Sequence, residues 1–60
     1  LYLVAFRDGV IRAATAYSVE GETLRYVTDQ NEQHSAPLST VDKERSEQLN
    51  RERRVEFRLP

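Results

Sequence analysis

Two tight-turn signals, Asp8-Gly9 and Glu20-Gly21, cut the first half of the chain into strand-length pieces. Asp-Gly is a preferred pair for the positive backbone angles of a hairpin turn. Taking Asp8-Gly9 as a two-residue loop sets Arg7 opposite Val10 and Phe6 opposite Ile11. It then sets Val4 opposite Ala13 and Tyr2 opposite Thr15. Side chains alternate along a strand, so these last three pairs share one face. Taking Glu20-Gly21 as the next loop pairs Val19 with Glu22, Tyr17 with Leu24 and Thr15 with Tyr26. Tyr17, Leu24 and Tyr26 thereby join Ile11 on the same face. A slip of one residue at either turn would move them to the other side.

A third connection runs through Asp29-Gln30-Asn31-Glu32. A three-residue loop at Gln30 to Glu32, with Asn31 left-handed, brings Ala36 and Leu38 onto the core face. Pro37 marks this fourth strand as an edge or as ending, because proline cannot donate to a ladder. Composition then changes. From Thr40 to Arg53 the chain is rich in Glu, Arg, Lys and Gln and lacks Gly and Pro, which is helical composition. Ser39 is the candidate N-cap, with Asp42 and Glu44 behind it. Val41, Arg45, Gln48, Leu49 and Glu52 form one stripe with only two aliphatic members. Such a narrow face needs docking through Leu38, Val41 and Leu49. Val55, Phe57 and Leu59 alternate with Glu56 and Arg58, a period of two that reads as a short final strand.

The expected fold is α+β: a four-stranded antiparallel β-meander, then one helix and a short C-terminal strand. Strands fall at about residues 1–7, 10–19, 23–28 and 34–38, the helix at about 40–53 and the strand-like tail at 55–59. Either an SH3-like barrel or an open sheet with the helix across it satisfies this order. The first strand is apolar on both faces, which suits a central position, and the tail is a candidate neighbour for its free edge.

Sixty residues form one domain at most, and the chain reads as excised from a longer one. Without cysteine there are no disulfides or thiolate metal ligands, and no compartment is indicated. Small unstapled domains commonly gain stability by association. A net charge of −1 gives no long-range attraction to nucleic acid or anionic lipid. The apolar run Leu1 to Phe6 is too short to span a bilayer.

No catalytic or cofactor motif emerges, so no enzyme activity and no cofactor are expected. His34 and Ser35 are strand neighbours and point to opposite faces, which removes a triad; His34 belongs at the rim of the core. Asp29, Asn31 and Gln33 imitate the start of a calcium loop. His34 then stands where the glycine belongs and Thr40 where the bidentate glutamate belongs. Glu20 and Glu22 are solvated turn residues. Arg51, Arg53, Arg54 and Arg58 form a basic end that could meet phosphate, but Glu47, Glu52 and Glu56 interleave, and arginines also suit a helix C-terminus. The outer sheet face is more informative. It gathers Leu1, Leu3, Ala5, Ala14, Ala16 and Val27, broken by Arg12, Ser18 and Arg25. With Val55, Phe57 and Leu59 of the tail, these residues are the expected protein interface. The partner is a second copy or the rest of a parent chain.

Asp8-Gly9, the segment Tyr26-Val27-Thr28-Asp29 and Val41-Asp42 together resemble small SH3-like bacterial modules such as the YgdI/YgdR-type lipoprotein domains. The likeness covers roughly residues 3 to 42. It extends to uncharacterised domains at the ends of longer bacterial proteins. The resemblance implies a binding or structural module without known catalysis. The lipid-attachment cysteine of the lipoproteins is missing here, so membrane anchoring is not carried over.

Overall fold

A computed structural model describes all 60 residues. Four strands, β1 (Tyr2–Ala5), β2 (Ile11–Glu20), β3 (Thr23–Thr28) and β4 (Gln33–Pro37), form one antiparallel sheet in the order β1-β2-β3-β4. A 3-10 turn (Leu38–Thr40) leads to the helix α1 (Lys43–Glu52). The meander and the single following helix are as the sequence predicts, and the details of register depart from it instructively.

The first hairpin is one residue longer than expected. Tyr2 pairs with Ala14, Leu3 with Ala13, Val4 with Arg12 and Ala5 with Ile11. Only Gly9 takes a positive φ (93°) here, and Asp8 does not. Asp8 instead accepts a hydrogen bond from the Val10 N–H (3.0 Å), while Gly9 N–H donates to the Phe6 carbonyl (2.9 Å). This is a three-residue loop with a left-handed glycine at its end rather than a type I′ turn. The slip sends Ile11 to the outer side, where it is exposed, and brings Ala14 into the core. A bulge between Ala14 and Ala16 then restores the original alternation. One extra loop residue and one extra strand residue cancel, so Tyr17 and Val19 still share a face with Val4.

At the second hairpin the loop is Gly21-Glu22, with Glu20 opposite Thr23, Val19 opposite Leu24 and Tyr17 opposite Tyr26. Gly21 carries the positive φ (60°) and Glu22 does not, which is the type II′ arrangement with glycine first. The pairs move by two positions relative to expectation, so no side chain changes face. The third loop is Asp29 to Asn31, closed by Thr28 and Glu32, with Asn31 left-handed at φ 64°. Its length is as expected and its position is one residue earlier. The reason is the Thr28 hydroxyl, which accepts from the N–H groups of Gln30 (3.3 Å) and Glu32 (3.2 Å) and pins the turn from inside.

Val4, Ala14, Leu24, Tyr26, Val41, Phe57 and Leu59 make the core, with Tyr2, Phe6, Tyr17, Val19 and Leu38 packed at its margin. Only 11 of the 60 residues are buried, so each core side chain carries an unusual share of the stability. Val41 is extended and bridges to Phe6, so the helix starts later than Ser39 allows. Asp42 is the N-cap, accepting from Arg45 N–H at 3.1 Å.

The tail has the expected alternation but no ladder. Phe57 and Leu59 are buried, Glu56 and Arg58 are exposed, and residues 53–60 belong to no strand. The segment lies over the sheet and is held by aromatic packing. Phe57 sits 4.5 Å from Tyr17 and 5.9 Å from Tyr2, ring centre to ring centre, and Tyr2 meets Tyr17 edge-on at 4.8 Å. The Tyr17 hydroxyl accepts from Arg58 N–H at 3.2 Å.

The reversal that delivers the tail is built at the helix end. Val55 N–H donates to Asn50 O and Arg54 N–H to Arg51 O, with Arg54 left-handed at φ 60°. That is a Schellman ending with arginine where glycine is usual. Arg54→Gly is therefore expected to stabilise the chain by about 0.5–1 kcal/mol, read as a higher melting temperature. A lower one would mean that the Arg54 side chain contributes more than its backbone strain costs.

Candidate interaction surface

A four-stranded sheet that does not close has two edges, and each presents backbone donors and acceptors that need partners. In β1 the hydrogen bond from Phe6 N–H to Val10 O fixes the phase. Tyr2, Val4 and Phe6 aim their backbone groups at β2, while Leu3, Ala5 and Arg7 aim outward. The helix supplies the outward partners. Asn50 accepts from Leu3 N–H and donates from Nδ2 to Leu3 O, both at 2.8 Å. Ser46 accepts from Ala5 N–H at 2.8 Å and donates its hydroxyl proton to Ala5 O at 3.2 Å. Asp42 N–H also reaches Ala5 O, and Arg7 N–H reaches Thr40 O. Ser46 and Asn50 are i and i+4 on one helix face, and their spacing spans Leu3 and Ala5 on the strand. Two side chains and the Thr40–Asp42 backbone thus stand in for a fifth strand.

This seal overturns the expectation of a central first strand with a free edge for the tail. Strand β1 is an edge strand, and its apolar second face is explained by the helix beside it. Of the predicted docking residues, Val41 is buried and Leu38 packs at the core margin, both just before the helix, and Leu49 is half-buried. Within the helix the buried residues are Ser46 and Asn50, which the stripe did not include. Hydropathy does not signal them. What does is position: two short hydrogen-bonding side chains four apart within an otherwise charged helix.

The other edge is open. Thr28 N–H donates to Glu32 O, so Glu32, His34 and Ala36 point their backbone groups at β3, while Gln33, Ser35 and Pro37 point theirs outward. The Thr40 hydroxyl donates to the Pro37 carbonyl at 2.7 Å, and no side chain hydrogen-bonds the outward groups of Gln33 and Ser35. Gln33, His34, Ser35 and Pro37 are exposed. Beside this edge the outer face forms a shallow open groove of about 550 Å³, lined in part by Ala16, Ser18, Arg25, Val27, Gln33 and Ser35. Arg25 and Glu20 make an exposed ion pair across it at 3.0 Å, a contact of small energetic weight.

The expected interface residues separate accordingly. Ala16 and Val27 are paired neighbours in this groove, exposed and half-buried respectively. Leu1 is exposed and Leu3 half-buried, both at the far side of the sheet, and Val55 is half-buried after the helix. Ala5, Ala14, Phe57 and Leu59 are buried within the chain itself and offer no surface to a partner. For Ala14 the cause is the one-residue slip of the first hairpin; for Ala5 it is the helix; for Phe57 and Leu59 it is the fold-back of the tail.

His34 lies at the rim of the core as expected, stacked on Tyr26 with ring centres 5.6 Å apart and with Nε2 3.5 Å from Glu32. Ser35 is on the opposite face. Asp29 and Asn31 are hairpin-loop residues, and no three His, Cys, Asp or Glu side chains converge as metal ligands would. Arg51, Arg53, Arg54 and Arg58 are all exposed; Arg58 pairs with Glu56 at 3.2 Å, and the other three take part in no ion pair. No helix is long and apolar enough to cross a membrane.

No family model, curated protein or solved structure matches this chain.

Proposed function

We propose that the chain is a non-enzymatic protein-interaction module that accepts an extended segment of a protein on the β4 edge. The observation that carries this reading is the asymmetry of the two edges. The helix satisfies the outward groups of β1 residue by residue, whereas Gln33 and Ser35 keep theirs free. An added strand gains affinity from backbone bonds and specificity from the side chains it lays on the neighbouring face. Here that face is the groove, with Ala16 and Val27 as apolar floor and Arg25 with Glu20 as polar rim.

Peptides selected from a library of extended sequences for binding to the chain should shift the backbone amide resonances of Gln33, Ser35, Ala16 and Val27. Shifts centred instead on Leu3 and Ala5 would remove the reading.

A second reading, nucleic-acid contact through Arg51, Arg53, Arg54 and Arg58, draws on the three guanidinium groups without ion pairs. It requires an affinity that falls steeply with salt. Absence of binding to a mixed oligonucleotide pool at low ionic strength would end it.

A further inference from the structure

We propose that the β4 edge pairs with the β4 edge of a second copy of this chain, antiparallel, about a two-fold axis at His34. The inference rests on the reading of that edge as the binding edge and names its partner.

The hydrogen-bonding inventory of the edge selects the register. Gln33 and Ser35 each offer an outward N–H and an outward carbonyl, while Pro37 has no N–H and its carbonyl already accepts from the Thr40 hydroxyl at 2.7 Å. Setting Gln33 opposite Ser35 of the second copy uses every one of these groups on Gln33 and Ser35, in both chains. Setting Ser35 opposite itself places Gln33 against Pro37, and the Gln33 carbonyl then faces a residue with no proton to give. Setting Ser35 opposite Pro37 fails in the same way. Setting Gln33 opposite itself leaves Ser35 facing Asn31 in the loop, so among the two-fold registers only the one centred on His34 uses all four groups of each copy.

The side chains agree with that register. Ser35 pairs with Arg25 and Gln33 with Val27 inside one chain, so Gln33 and Ser35 lie on the outer face. Across the axis they bring an amide opposite a hydroxyl, two groups that hydrogen-bond each other. On the other face His34 meets His34 of the second copy, each backed by its own Tyr26 at 5.6 Å. Glu32 falls opposite Ala36, so the two carboxylates bracket the imidazole pair diagonally and no like charges stand directly opposite. Within one chain Glu32 is already 3.5 Å from His34. The joined sheets would also align the two grooves into one continuous outer face.

Composition does not oppose the contact. Natural edge strands are commonly guarded by lysine, inward charges or bulges. Gln33–Pro37 carries no lysine, arginine or carboxylate, is not bulged, and has its one guard, Pro37, outside the pairing centre. A net charge of −1 per copy adds little repulsion. A contact of one five-residue strand lies at the small end of specific interfaces, so the pairing is expected to be weak and concentration-dependent.

Sedimentation equilibrium of the chain between ~10 μM and ~1 mM, a range suited to weak contacts, is the test. The average mass should climb from 7.0 kDa toward twice that value, and the Gln33 and Ser35 amides should gain exchange protection as it does. Ser35→Pro removes one of the two donors each copy contributes and leaves the bonds to β3 in place, because the Ser35 N–H points away from β3. It should weaken self-association at least about tenfold. The wild-type dilution series decides the matter even if that variant does not fold. A mass fixed at 7.0 kDa up to ~1 mM overturns the pairing, as does dimerisation that protects other amides instead. If the mass stays fixed while selected peptides still shift Gln33 and Ser35, the edge reading stands and the second copy is excluded as its partner.

Discussion

Phe57→Ala is expected to leave the chain largely unfolded at 25 °C. Truncating a buried phenylalanine costs about 3–5 kcal/mol. A domain of this length has about 3–9 kcal/mol of total stability at ordinary values per residue. Phe57 is 4% exposed, packs on Tyr2 and Tyr17, and is delivered by a tail with no ladder of its own. Its loss therefore uncovers the sheet and releases the segment that covers it. Deleting residues 55–60 should have the same or a greater effect, since Leu59 goes too. Glu56→Ala in the same segment is the control and should change stability by less than about 0.5 kcal/mol, because its carboxylate is exposed and its pairing with Arg58 is a surface contact. Far-ultraviolet circular dichroism with thermal melting separates the outcomes. A tail deletion that melts like the full chain would show that residues 55–60 are an appendage and not the lid of the core.

Asn50→Leu is the second large effect. The substitution keeps the volume and removes the only side chain that both accepts from Leu3 N–H and donates to Leu3 O. A buried group left without a partner costs about 1–3 kcal/mol, so two such groups, partly reachable by water, cost about 3 kcal/mol together. For a domain of this size that is a fall of about 12–24 °C in melting temperature. Ser46→Ala should cost less, because the Ala5 carbonyl keeps Asp42 N–H and only the Ala5 N–H is orphaned. The double variant should be less destabilised than the sum of the two, since once one anchor is lost the helix end can lift and let water reach the other. An Asn50→Leu chain that melts within ~2 °C of the parent would mean that helix and strand are held together by apolar packing alone.

These two effects also mark where the sequence was readable and where it was not. The meander, the two glycine turns and the left-handed Asn31 follow from local backbone preferences, and those preferences were visible in residue type. The shared face of Val4, Tyr17, Leu24 and Tyr26 survived an error in the first hairpin because the bulge at Ala14 to Ala16 undid it. No local signal announces that bulge; it is a property of the paired strands. Ile11 and Ala14 precede the bulge and so keep the exchanged faces that the hairpin slip gave them, and with Ala14 went part of the expected interface. The tail was legible as a period of two, which gave the burial of Phe57 and Leu59 but not what they bury against. The helix was the least legible element. Its docking side is polar, so the search for an aliphatic stripe pointed to Val41, Arg45, Gln48, Leu49 and Glu52 and passed over Ser46 and Asn50. A helix that docks by hydrogen-bonding a strand edge leaves little trace in hydropathy.

Native-state amide exchange at low protein concentration tests the contrast between the two sheet edges most directly. Leu3 and Ala5, whose N–H groups are held by Asn50 and Ser46, should exchange slowly, close to the rate set by global unfolding. Gln33 and Ser35, with nothing beyond them, should exchange at the rate of exposed loop amides. Fast exchange at Leu3 and Ala5, or protection at Gln33 and Ser35 in dilute solution, would contradict a fold that seals one edge and leaves the other open.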